Sequence, residues 1–146
     1  MRPLLVCLIG VAWIAGCASQ RVLVLPAPPH HTMVGEILAA NPLAADQNVR
    51  VVEVVHGEQS SVSLVQIRDR EQPHLHTRYD LTVMLIEGHG VLWLDNVPQP
   101  MRAGDISFVP KGTPHFFINE GDNPAVTLVS FAPPFSGPDQ QPVAGP

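Results

Sequence analysis

From Asn48 onward the sequence breaks into short runs rich in β-branched and aromatic residues, over 49–55, 60–68, 81–86, 90–94, 105–109, 115–118 and 125–131. Turn signals separate them: His56-Gly57-Glu58, Glu87-Gly88-His89-Gly90, Asp95-Asn96, Ala103-Gly104-Asp105 and Gly121-Asp122-Asn123. Sixteen prolines and eleven glycines spread along the chain oppose long helices. Seven or more short strands with such turns imply an all-β, antiparallel jelly roll. At 146 residues and 45% hydrophobic content, the chain suits one domain with a core of its own.

The N-terminus reads as an address. Arg2 supplies a positive start, an apolar stretch runs from Leu4 to Ile14, and small residues end it. That stretch is shorter than the roughly 20 apolar residues that span a bilayer. Ile14-Ala15-Gly16-Cys17 resembles the lipobox of bacterial lipoproteins, which implies a signal peptide over 1–16 and lipidation of Cys17. Without Asp among Ala18 and Ser19, the resemblance implies the periplasmic side of the outer membrane, with the lipid as the membrane partner. A Pro-rich tether with little regular structure is expected over 17–33, carrying a solvated His30-His31 pair. The domain is expected over 34–132, beginning with a short helix at Val34–Ala40 that Pro42 stops and that caps the barrel. The Pro/Gly-rich tail, 133–146, is expected to wrap the surface or fray.

Several function classes drop out. A formal charge of −5 without a Lys/Arg cluster gives no footprint for nucleic acid. Neither a G-x-S-x-G, nor a P-loop, nor a CxxC is present. Cys7 lies in the signal and Cys17 carries the lipid, which leaves no thiol for a disulfide or a nucleophile.

His74 and His76 are two apart, so on a strand their imidazoles leave the same face and can converge on one ion. Downstream, Gly104, Pro110, Gly112, His115 and Asn119 spell G-x5-P-x-G-x2-H-x3-N without a gap. That pattern resembles the second motif of the cupin superfamily, and Pro73-His74-Leu75-His76, followed by the Glu87-Gly88 turn, resembles the first. The run from Phe131 to Asp139 is similar to the ending of small single-domain bacterial cupins. The resemblance covers about residues 60 to 132. It implies a cupin-type double-stranded β-helix with the motifs on facing sheets, so that His115 crosses the barrel toward His74 and His76. Three neutral imidazoles would then hold one divalent transition metal: Fe, Zn, Mn, Ni or Cu.

The family usually supplies a Glu seven residues before the glycine of the turn, and here that position is Leu81. Asp80 is its neighbour and would face the other way unless the register shifts, which leaves it a strand-entry cap or, with a shift, a ligand or a partner to one. A three-histidine site follows, with a more electrophilic metal that favours anionic ligands. The same alternation points Leu81, Val83 and Leu85 inward, and Phe117 shares the face of His115. Arg78 and Tyr79 are expected at the mouth, where they can orient an anion, while His56 and His89 occupy exposed turns. No catalytic residue is identified, because an evident general base is missing near the motifs. The resemblance implies a small-molecule ligand or substrate and pairing as a homodimer. It leaves two functions open, a metal-dependent oxygenase and a non-catalytic binding module.

Overall fold

A computed structural model of the chain describes residues 22–26 and 29–146, with side chains from Thr32 onward. The signal peptide, Cys17 and the side chains of His30 and His31 lie outside the described residues. Two compact units divide after Leu38.

In the first unit, β1 (Val22–Pro26) and β2 (Pro29–Met33) pair antiparallel from Val22 opposite Met33 to Pro26 opposite Pro29. This hairpin replaces the unstructured tether expected there. Pro26 and Pro29, two of the prolines that suggested a tether, form the closing pair, where a missing N–H costs least. The helix α1 spans Val34–Ala40 as expected. Glu36 Oε2 accepts the Met33 N–H (3.2 Å) and the Thr32 hydroxyl (3.4 Å), which satisfies a donor left free at the helix start.

In the second unit, ten strands follow: β3 (Val49–His56), β4 (Ser61–Ile67), β5 (His74–His76), β6 (Asp80–Glu87), β7 (His89–Leu94), β8 (Val97–Arg102), β9 (Ile106–Val109), β10 (His115–Asn119), β11 (Ala125–Ala132) and β12 (Gln140–Pro142). They form two five-stranded sheets, ordered β12-β5-β10-β7-β8 and β3-β4-β11-β6-β9. Every pairing is antiparallel. The inner faces meet in one apolar core that includes Leu92, Met101 and Phe117 from the first sheet and Val65, Leu81 and Val129 from the second. The outer face of β4 is covered too. Gln66 donates to the Asn41 carbonyl (2.8 Å) and Arg68 to those of Ala44 (2.8 Å) and Gln47 (3.0 Å), and Leu64, of the same parity on β4, has 0% exposure.

Local chemistry fixes the turns that matter for the site. Asp95 and Asn96 both take positive φ (48° and 63°) between β7 and β8, the conformation of a two-residue hairpin that matches strand twist. Gly112, at φ +81°, occupies the third position of a turn closed by Thr113 N–H to Pro110 C=O (3.1 Å), where only glycine fits without strain. The tail does not fray. It forms β12, which pairs with β5 from Gln140 opposite His76 to Pro142 opposite His74. β3 and β12 are edge strands of the two sheets, and Val49 of the one and Gln140 of the other border the same hollow.

Candidate metal centre

β5 is three residues long, and its two histidines share one face while Leu75 takes the other. β10 lies beside it with His115 directly opposite His74. The motifs therefore meet on neighbouring strands of one sheet, and the expectation of facing sheets is corrected. Directly opposed residues stand about 5 Å apart, close enough for side chains on one face to share a ligand. The three rings are buried, with centroids 4.4 Å (His74 to His115), 5.2 Å (His74 to His76) and 5.5 Å (His76 to His115) apart. One ring nitrogen from each lies within 4.8 Å of those of the other two.

Hydrogen bonds set the tautomer of each ring. Nδ1 of His74 donates to the Gln72 carbonyl (2.7 Å), and Nδ1 of His115 to that of Thr113 (3.0 Å). Nδ1 of His76 meets Asp139 Oδ1 at 2.6 Å. With Nδ1 carrying the proton, Nε2 keeps its lone pair and is free to bind a cation. Burial pushes His115 down to about 4, and it also lowers His76 despite the opposing pull of Asp139. Both imidazoles are neutral at neutral pH, the form that ligates metals.

Asp139 was missed because it lies in a segment read as tail. Its side chain is 3% exposed, and Oδ2 accepts the Arg78 N–H (2.9 Å). Burial opposes its charge, yet the bonds from His76 and from the Arg78 backbone hold its carboxyl below the usual carboxylate range. The run from Phe131 to Asp139 was a signal for it, though only through resemblance.

A cavity of about 90 Å³ opens beside the rings. Leu81, Val83 and Phe117 line it as expected, whereas Leu85, with 0% exposure, belongs to the core. Glu71 also lines the cavity and was not singled out in the sequence. Its Oε2 accepts the Phe117 N–H (3.0 Å), and its own N–H donates to the Phe117 carbonyl (2.9 Å). Burial raises its pKa, against the lowering effects of His74 and the Phe117 N–H.

Other candidates are placed elsewhere. Asp80 Oδ1 accepts the Lys111 N–H (2.8 Å), a strand-entry cap that ties β6 to the Gly112 turn and lies outside the histidine cluster. Tyr79 is 1% exposed and hydrogen bonded to Ser136, while Arg78 donates to the Gly137 carbonyl (2.9 Å) and covers the Tyr79 ring. The two pin the C-terminal segment and do not stand at a mouth. His56 pairs with Glu53 on the surface, and His89 is exposed.

Residues 61–131 match the family model described as a Cupin domain. The chain belongs to the cupin superfamily. An uncharacterized protein of Aquifex aeolicus is 33% identical to this cupin over 93 residues, which is 64% of this chain and 76% of that protein. The crystal structure of TT1209 from Thermus thermophilus superposes with a TM-score of 0.60 at 23% identity, covering 68% of this chain and 95% of that one. Streptomyces Pac13, described as a nucleoside dehydratase and solved with uridine, gives 0.57 at 22% identity, covering 67% and 80%. The structural likenesses carry the fold.

Within this cupin the motif positions have separate duties. Gly112 N–H donates to the His76 carbonyl (2.6 Å), which joins the second motif to the first. The Asn119 side chain donates to the carbonyls of Arg68 (2.7 Å) and Asn123 (2.9 Å) and accepts the Gly121 N–H (3.1 Å), so it builds the turn after β10 and stays away from the metal centre.

Proposed function

We propose that this cupin holds one divalent transition metal on Nε2 of His74, His76 and His115 and acts on a small molecule as a metal-dependent enzyme, with oxygenase chemistry when the ion is iron. The convergence of three buried imidazoles, each with Nδ1 hydrogen bonded, carries this reading. Bound there, the ion supplies a Lewis acid, and iron adds reactivity toward dioxygen. The chain's own part is to hold the donors, exclude water with Leu81, Val83 and Phe117, and set the Glu71 carboxyl where it can take or give a proton.

Glu71 also bears on the alternative of a non-catalytic binding module, whose main support was the lack of a base near the motifs. Metal analysis of the purified chain tests the first half of the proposal: about one ion per chain is expected, and its loss in His115→Ala. Oxygen uptake or product formation across small thiols, catechols and alcohols tests the second. Stoichiometric metal with no turnover of any of these would favour the binding module.

The run Ile14-Ala15-Gly16-Cys17 supports a further proposal, that Cys17 is lipidated and tethers the cupin at the cell envelope. Labelling with a radioactive fatty acid should mark the wild type and spare Cys17→Ser.

A further inference from the structure

The cavity beside the histidines, at about 90 Å³, admits only a few heavy atoms. Two larger hollows adjoin it along the seam between the edge strands β3 and β12. One, of about 320 Å³, shares Val49, Glu71, His74 and Gln140 with the cavity. The other, of about 400 Å³, shares Val51, Phe131 and Gln140 and adds Phe135, Pro138 and Glu53. Gln140 borders all three. Val51 lines the inner face of β3 and is nonetheless 59% exposed, an apolar side chain left open to the larger hollow.

The charges along this seam have one sign. Glu71 lines the first hollow and Glu53 the second, and among the described residues neither a Lys nor an Arg borders any of the three spaces. Described cations near the seam are bonded elsewhere or turned to the other face. Arg78 is held by Gly137 and Ser136, Arg68 by Ala44 and Gln47, and Arg50 alternates to the face opposite Val49 and Val51. A phosphate or carboxylate entering by either hollow would reach the histidines past at least one acidic side chain, Glu71 by the first and Glu53 by the second. The anionic preference expected from a neutral ligand set is therefore opposed by the protein around it.

We infer that the β3/β12 seam binds an uncharged, ring-bearing molecule, its apolar body against Val51, Phe131, Phe135 and Pro138 and its polar end in the cavity beside Glu71. The inference rests on the metal reading only for what happens at that polar end. Aromatic walls of this kind favour flat apolar groups, and the carboxyl offers an acceptor to a hydroxyl or amine donor.

The test uses the full chain, metal-free and cobalt-loaded, with imidazole, 4-phenylimidazole and phenylphosphonate as probes followed by NMR. In metal-free protein 4-phenylimidazole should bind at least tenfold more tightly than imidazole and than phenylphosphonate, and should shift the resonances of Val51, Phe131 and Phe135. Phe135→Ala should abolish the gain from the phenyl ring. Glu53→Lys, with a circular dichroism spectrum and melting midpoint that match the wild type, should strengthen phenylphosphonate severalfold and change 4-phenylimidazole by much less. Equal binding of imidazole and 4-phenylimidazole, tighter binding of phenylphosphonate to the metal-free wild type, or shifts confined to other residues would overturn the inference. Failure to take up cobalt would defeat the metal reading alone, because the metal-free arm does not depend on it.

Discussion

Asp139 Oδ1 lies 2.6 Å from Nδ1 of His76, with the two side chains 3% and 5% exposed, so a residue at the start of the C-terminal strand fixes a candidate ligand 63 positions earlier. A carboxylate on the far nitrogen of a ligating imidazole holds the tautomer and raises its basicity, and loss of such a partner typically lowers metal affinity by about 10–100-fold. Asp139→Ala is therefore expected to weaken metal binding within that range in a competition titration against a chelator. Asp139→Asn, whose amide oxygen can still accept the Nδ1 proton, should lose much less. The Ala variant should also release the segment around Arg78 and Gly137 to protease. An unchanged affinity in Asp139→Ala would show that His76 is not a ligand.

Leu81 and Asp80 give opposite expectations because alternate positions of β6 face opposite ways. Leu81 is 3% exposed and borders the cavity, so Leu81→Glu places a carboxylate beside the three imidazoles. Without metal this buried charge should destabilise the fold by a few kcal/mol. With metal, the variant should bind the ion more tightly than the wild type. Asp80→Ala removes one hydrogen bond to Lys111 N–H, which is worth about 1 kcal/mol of stability, and should leave affinity unchanged. Calorimetric titration of both variants checks the pair, and a loss of affinity confined to Asp80→Ala would reverse the assignment.

Much of this was legible in the sequence. The seven β-type runs became β3, β4, β6, β7, β9, β10 and β11, and α1 falls on its expected residues. Those elements carry strong local signals, period-two apolar patterns between Gly and Asp/Asn turns. β8 was hidden by Pro98 and Pro100, which argue against a central strand. It is an edge strand, and two prolines of equal parity turn their missing N–H groups to the same, unpaired side. β12 and Asp139 were hidden for a different reason, since short polar segments gain their structure from a long-range partner. Glu71 likewise shows its role only once its backbone pairs with Phe117. The three histidines were legible because motif spacing, a local property, already fixes which face each one takes.

The buried imidazoles also set a pH dependence for the metal-free protein. His115 takes a proton near 6.5 when unfolded and only at about 4 when folded, because burial penalises its charge. Between those values the unfolded chain binds more protons, so stability falls as pH falls through this window and is flat above it for this residue. His76 shifts the same way. Glu71, whose carboxyl burial raises above 4.5, works in the opposite direction. Denaturation midpoints of metal-free protein should thus drop between pH 6.5 and 4, less steeply in His115→Gln and more steeply in Glu71→Gln. Midpoints that rise on acidification across that range would contradict the neutral assignment of His115.

Gly90 tests whether the cavity wall tolerates displacement. A Cβ added there would overlap the Ile118 carbonyl oxygen and stand 2.6 Å from Cζ of Phe117, the residue that both walls the cavity and pairs with Glu71. The Ile118 carbonyl belongs to β10 and cannot swing aside without breaking the ladder to β7, so the strain must reach the strand that carries His115. Gly90→Ala is expected to cost about 1–3 kcal/mol, the usual range for overpacking, and to weaken metal binding through the shifted β10. Gly121→Ala is the control, since its Cβ would find its nearest contact at 3.5 Å, an ordinary separation. Urea denaturation of the two variants, read beside their metal affinities, separates the outcomes: equal and small losses in both would mean that β10 yields without consequence and that the metal centre does not depend on the close approach at Gly90.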